Sequence, residues 1–192
     1  MRPIVALIMA AGAASRFGSC KATADIGGVT PLQKMVDTLN AAGIDDIRVI
    51  SGAWHQHIAD AMPANASLYF NPHWQEGLGR SIAFGVSTVH DGEGILIVLA
   101  DQIGLQLSDI AHLLESFNSH QSVCAYYCEK RGVPAIFAAQ HWPVLQQLSG
   151  DTGAKHLLQD DTSIIAVDLP NAAYDLDTQQ QLETFRAQQR RG

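Results

Sequence analysis

Short apolar runs recur along this chain at positions 4–9, 47–50, 68–70, 95–100, 123–127 and 164–167. Between them, apolar residues repeat at helical spacing over 31–42, 54–62, 79–89, 108–119, 141–148, 154–159 and 178–189. Apolar runs of three to six residues suit buried strands, and longer stretches of 3.6-residue period suit amphipathic helices. Regular strand-helix alternation predicts an α/β fold, a mostly parallel central sheet covered by helices on both faces. In such sheets ligands bind beyond the carboxyl ends of the strands, where the connecting loops diverge. The segment 128–139, with Gly132 and Pro134, breaks the rhythm and reads as part of an edge hairpin.

At 192 residues the chain fits one domain, 1–192, large enough to bury a core without disulfides. No internal repeat, low-complexity tract or Pro/Gly-rich linker divides it. The net charge of −7 offers no positive field for a polyanion, so nucleic acid is not an expected partner. Arg186, Arg190 and Arg191 close the last predicted helix, where cations suit the dipole. No apolar stretch reaches membrane-spanning length, so no membrane is expected either. Cys20, Cys124 and Cys128 cannot all pair, which fits a reducing, cytoplasmic setting. The apolar start mimics a secretion signal, but the residues that follow it have a better explanation.

That explanation is the loop Ala10-Ala11-Gly12-Ala13-Ala14-Ser15-Arg16-Phe17-Gly18-Ser19-Cys20-Lys21. Small side chains let backbone N–H groups approach phosphate oxygens, and Arg16 and Lys21 supply countercharge for a triphosphate. It is not a Walker A loop, which requires Gly-Lys-Ser/Thr where Phe17-Gly18-Ser19 stands, nor a dinucleotide fingerprint, which requires Gly where Ala14 stands. The run 95–100 reads as a central buried strand that delivers Asp101 to the same side of the sheet. A carboxylate there needs a partner, and a magnesium ion shared with substrate phosphates would provide one. A plain loop cap is the alternative.

The pattern Ala10-Ala11-Gly12, Arg16-x-Gly18-x-x-Lys21 resembles the signature of the MobA-like nucleotidyltransferases, with Met9 and Phe17 as apolar exchanges. The resemblance implies a three-layer, Rossmann-like nucleotidyltransferase fold in which Ala10, Ala11, Gly12, Ala13, Arg16 and Lys21 bind the nucleotide and Lys21 contacts phosphate. It makes Arg16, Lys21 and Asp101 the implied catalytic residues. Leu99-Ala100-Asp101-Gln102 is similar to the family's metal-binding strand end, with Ile103 in place of the usual Pro, and Asp175-Leu176-Asp177-Thr178 is similar to its Asp-Ile-Asp-Thr element. Asp101 and Asp177 are thereby the implied Mg2+ ligands. Helix capping by Asp177 or Thr178 is the competing reading.

Asn71-Pro72, Gly77 and Ser81 resemble a family segment that lies beside the nucleotide, with Gly77 permitting close approach and Ser81 a hydrogen bond to base or ribose. Read as a nucleophile elbow, the 79–83 stretch fails, because Ala83 stands where Gly is required and no strand precedes it. Gly132-Val133-Pro134 and Gly150-Asp151-Thr152-Gly153-Ala154-Lys155 resemble elements of the molybdenum cofactor cytidylyltransferase branch, with Val133 and Lys155 replacing His and Arg. His55-x-His57 points its rings to different helix faces, which argues against zinc. Trp54, Trp74 and Trp142 read as core or loop anchors, with Trp74 at the pocket edge.

The resemblance implies transfer of a nucleoside monophosphate, from CTP on the strength of Ala-Ala-Gly at 10–12, to the phosphate of a molybdopterin-type acceptor. A molybdoenzyme apoprotein is an implied partner. A sugar- or polyol-phosphate acceptor, or a non-catalytic chaperone for the molybdenum cofactor, are the alternatives.

Overall fold

The computed structural model describes residues 4–14 and 16–189. Seven strands form one sheet in the order β3-β2-β1-β4-β6-β5-β7. They are β1 (Ile4–Ala10), β2 (Asp46–Ser51), β3 (Ser67–Phe70), β4 (Gly94–Leu99), β5 (Val123–Tyr127), β6 (Lys130–Ala138) and β7 (Ile165–Asp168). Neighbouring pairs are parallel except those that involve β6, which runs antiparallel to both β4 and β5.

The two sheet faces follow from the alternation of side chains along each strand. Val5 and Leu7 of β1 and Ile95 and Ile97 of β4 pack with Ile82 and Val86 of α3 (Leu78–Ser87), Leu145 of α5 (Trp142–Leu145) and Leu158 of α6 (Lys155–Asp160). Ala6, Ile8, Leu96 and Val98 point the other way, against Leu32, Val36 and Leu39 of α1 (Pro31–Ala41), Ile58 of α2 (His55–Asp60), and Ile110 and Leu113 of α4 (Leu107–Ser116). Because β1 and β4 are covered on both faces, their runs are continuously apolar rather than alternating. The result is the three-layer, Rossmann-like arrangement expected.

The 128–139 segment corrects the sequence reading. It does form a hairpin with β5, but β6 lies inside the sheet between β4 and β5, not at an edge. Pro134 is tolerated there because the β5 pairing jumps from Cys124↔Ala135 to Ala125↔Gly132, leaving Val133 and Pro134 in a bulge without ladder partners on that side.

A smaller apolar cluster, Phe17, Ile26, Ile103, Leu176 and Leu182, ties the first loop and the turn after β4 to α7 (Gln179–Gln189). Arg186 donates to the Asp25 carbonyl at 2.8 Å, holding α7 to the same loop. Arg190 and Arg191 lie outside the described residues.

Candidate nucleotide-binding cleft

A cleft of 440 Å³ opens beyond the carboxyl ends of β1 and β4. Ala10, Ala11, Gly12, Ala13 and Ala14 line one wall, with Lys21 and Asp101 on the lining as well. The loop is fixed through its carbonyls: Ala53 N–H donates to Ala11 O at 3.2 Å and Trp54 Nε1–H donates to Ala13 O at 2.9 Å. Peptide planarity then directs the N–H groups of Gly12 and Ala14 the opposite way, away from the 53–54 turn. Ala14 sits at φ +50, a left-handed conformation rare for a residue with a Cβ. Such turns of successive N–H groups make anion-binding concavities.

The charged end of the cleft is assembled from three distant segments. Lys21 Nζ lies 2.7 Å from Asp177 Oδ1 and 3.2 Å from Asp101 Oδ2. The carboxylates are brought together by backbone stitching: Leu176 N–H donates to Asp101 O at 2.8 Å, and Gly104 N–H to Tyr174 O at 3.2 Å. Ile103 N–H also donates to Asp101 O at 2.9 Å, a bond that proline in that position would forbid. Gln102 is a buried strut. Its Oε1 accepts from Leu99 N–H, and its Nε2 donates to the carbonyls of Val133 and Ala172.

Thr178 Oγ1 accepts from Gln181 N–H while Gln181 Oε1 accepts from the N–H groups of Asp177 and Thr178. Thr178 and Gln181 thus cap α7 reciprocally, which leaves the Asp177 carboxylate to Lys21. Asp175 completes the group and was missed in the sequence reading. Its Oδ1 is buried with no hydrogen-bond partner. Burial, then the neighbouring Asp101 and Asp177, push its carboxyl up to about 7, against the opposing pull of Lys21 and Lys130. Lys21, though burial opposes it, is held above the ordinary lysine value by Asp177 and Asp101.

Asp101 and Asp177 on one ammonium, with the Asp175 carboxyl pressing on both, give oxygen donors that outnumber the cation, the chemistry of a hard divalent ion. No ready-made cage of three His, Cys, Asp or Glu ligands exists among the described residues. The set therefore fits an ion such as magnesium, which takes one or two carboxylates and completes its shell with phosphate and water.

The middle motif is placed differently from expectation. Asn71 is fully buried behind the cleft wall, where its Nδ2 donates to Ser81 Oγ at 3.0 Å and its Oδ1 accepts from His73 N–H. It positions Ser81, which lines the cleft, and does not line it itself. Gly77 lines the cleft at φ +99, and a Cβ there would strike the Gly150 backbone and come 2.6 Å from Asp151 Oδ1. Gly79 N–H donates to Gly150 O and Gly150 N–H to Glu76 O, so the 76–79 and 149–151 turns interlock. This brings Asp151 onto the cleft, a carboxylate the sequence motif contained without a role. Arg16 is exposed and absent from the cleft lining. Trp54 and Trp74 both line the cleft, whereas Trp142 Nε1–H donates to Phe137 O as a structural anchor. His55 meets Ser51 and Phe70 while His57 meets Trp54, so the two rings do not converge. Cys20, Cys124 and Cys128 are all unpaired thiols.

A three-layer sheet with a small-residue loop over β1 and carboxylates at the end of β4 is the architecture of the nucleotidyltransferases. The chain belongs to the MobA-like NTP transferase domain family, which it matches over residues 6–169. Membership supports a transferase enzyme acting on nucleoside triphosphates. The chain is similar to the nicotine blue oxidoreductase of Paenarthrobacter nicotinovorans, 29% identical over 170 residues that cover 81% of each protein. It is also similar to the purine catabolism protein PucB of Bacillus subtilis, 25% identical over 81% of this chain and 80% of that one. The structure of Rv0371c from Mycobacterium tuberculosis H37Rv superposes with a TM-score of 0.85 at 20% identity, covering 97% of this chain and 98% of the other. Rv0371c has also been solved in complex with manganese. No helix among the described residues is long and apolar enough to cross a membrane.

Proposed function

We propose that this chain is a magnesium-dependent cytidylyltransferase that transfers CMP from CTP to the phosphate of molybdopterin. The observation that carries the reading is the meeting of Lys21 with Asp101 and Asp177 at one end of a cleft walled by the 10–14 loop. The loop N–H groups bind the triphosphate, and Ser81 and Gly77 face the nucleoside. Arg16, exposed past the cleft, is left for the outermost phosphate. An acceptor phosphate oxygen attacks the α-phosphorus in line, the bond to the bridging oxygen breaks, and pyrophosphate leaves with its electron pair. Asp101 and Asp177 would hold the magnesium ion, which supplies Lewis-acid polarisation of the α-phosphate and neutralises charge on the departing pyrophosphate. Lys21 and the loop amides stabilise the same developing charge.

The Ala10-Ala11-Gly12 start supports CTP over GTP within this family, and the Gly150-Asp151 element supports a molybdopterin acceptor over a sugar or polyol phosphate. The paired Lys21 and Asp101 argue for a working enzyme rather than a cofactor chaperone. Incubating the protein with magnesium, molybdopterin and each of CTP, GTP, ATP and UTP tests the reading. Release of pyrophosphate and a cytidine dinucleotide product is expected. Because one relative bears an oxidoreductase name, parallel incubations with NADH and NADPH are informative, and turnover there with none from any triphosphate would overturn the proposal.

A further inference from the structure

Lys34, on α1, is a half-buried cation that the proposed reaction does not use. A surface lysine ordinarily keeps its ammonium in water. This one donates instead to two backbone carbonyls, those of Ile103 and Leu105, the latter at 3.0 Å. Burial pulls the ammonium below the ordinary lysine value, and the Asp109 carboxylate opposes that pull.

Asp109, in the first turn of α4, is itself buried. Its Oδ2 accepts from Gln106 N–H at 2.8 Å, and Asn171 Nδ2 donates to Oδ2 at 3.1 Å and to Oδ1 at 3.3 Å. Lys34, Asp109 and Asn171 thus bind α1 and α4 to two turns, 103–105 and 170–173. Those two turns lead directly to the carboxylates of the cleft. Ile103 N–H and Leu176 N–H both donate to the Asp101 carbonyl, and Gly104 N–H donates to Tyr174 O. The turns also press on each other, because a Cβ on Gly104 would come 2.5 Å from Asn171 O and 2.6 Å from Tyr174 Cβ. At such close backbone contact, a shift of either turn changes the gap between Asp101 and Asp177.

We infer that Lys34, Asp109 and Asn171 are positioning residues for the divalent cation: they fix the gap between Asp101 and Asp177 and so set the affinity of that pair for the ion. This rests on the nucleotidyltransferase reading, which gives the pair to magnesium. Outer partners that orient metal ligands carry about 10- to 100-fold of metal affinity without touching the ion.

The probe is Mn2+ alone, without nucleotide, titrated by electron paramagnetic resonance against the full chain and its Lys34→Met, Asn171→Ala and Asp101→Asn variants, with circular dichroism to establish that each is folded. Lys34→Met and Asn171→Ala are each expected to bind Mn2+ on the order of tenfold more weakly. Charge alone predicts otherwise, since removing a cation from this end of the molecule would tighten Mn2+ and removing a neutral amide would leave it unchanged. A packing role alone would lower the urea midpoints and leave the Mn2+ affinity of the folded protein at the parent value. Parent-like or tighter binding by either folded variant therefore overturns the inference. Should Lys34→Met fail to fold, Asn171→Ala, which keeps every charge, carries the test. Parent-like binding by these variants beside a weakened Asp101→Asn sinks the inference and leaves the proposed function standing. Mn2+ binding that Asp101→Asn does not weaken removes the pair as the metal site, and sinks the magnesium assignment and the inference together.

Discussion

Lys21 and Asp177, separated by 156 positions in the chain, meet at 2.7 Å, and the same ammonium also bridges to Asp101. Lys21 thus occupies the position between the two carboxylates where the metal ion was expected from the sequence. It is a resident countercharge that, in the proposed reaction, bound metal and nucleotide would redirect toward phosphate.

Lys21→Met should therefore act in two opposite directions. Without nucleotide, removing a cation beside two carboxylates should tighten Mn2+ binding on the order of tenfold, as read by electron paramagnetic resonance. Turnover should fall on the order of 10²-fold or more, as for a lost oxyanion donor. Unchanged or weaker Mn2+ binding would show that Lys21 does not compete for these carboxylates.

Much of the fold was legible because strands buried on both faces have little choice but to be apolar, and β1, β4 and β5 read directly from that pattern. β6 was not, because Gly132 and Pro134 interrupt its apolar run, and a bulge that accommodates them depends on pairing with β5. Lys21, Asp101 and Asp177 were found from local motifs and do converge. Asp175 escaped because its burial comes from backbone stitching between 101–104 and 174–176, which no local pattern encodes. Asn71 looked like a ligand-facing polar residue, but its side chain is consumed internally by Ser81 and His73. Arg16 sat in the right loop, but its side chain is exposed and outside the cleft lining.

Gly77→Ala should be severe for reasons of backbone rather than chemistry. The residue sits at φ +99, ψ 179, a region essentially confined to glycine, and the new Cβ would meet the Gly150 backbone. A loss of about 3 kcal/mol or more is expected in urea unfolding. A loss well below 1 kcal/mol would mean the 76–79 and 149–151 turns are not locked together.

Gln102→Leu separates support of the site from its chemistry. It would orphan the Leu99 N–H and the Val133 and Ala172 carbonyls, costing about 2–4 kcal/mol of stability. Asp101→Asn, by contrast, should leave the unfolding midpoint nearly unchanged while weakening Mn2+ binding. Similar unfolding curves for the two variants would contradict the strut assigned to Gln102.

Acid stability should depend on Asp161. Hydrogen bonds from Ser163 first, and then His141, hold its carboxyl down to about 2 from an ordinary 3.8. A depressed carboxyl stabilises the fold above its unfolded value, and that contribution is lost as pH falls from 3.8 toward 2. Urea midpoints of the parent should therefore drop through this window more steeply than those of Asp161→Ala. Parallel slopes would show that the Ser163 and His141 bonds do not favour the ionised form.

The most direct measurement is a crystal structure of the protein with Mn2+ and a non-hydrolysable CTP analogue, using anomalous scattering to locate the metal. The account predicts one manganese peak coordinated by Asp101 and Asp177, with the triphosphate against the 10–14 loop and the Lys21 ammonium moved from the carboxylates to a phosphate oxygen. An ordered nucleotide whose phosphates lie elsewhere, with Lys21 still paired to Asp177, would contradict it.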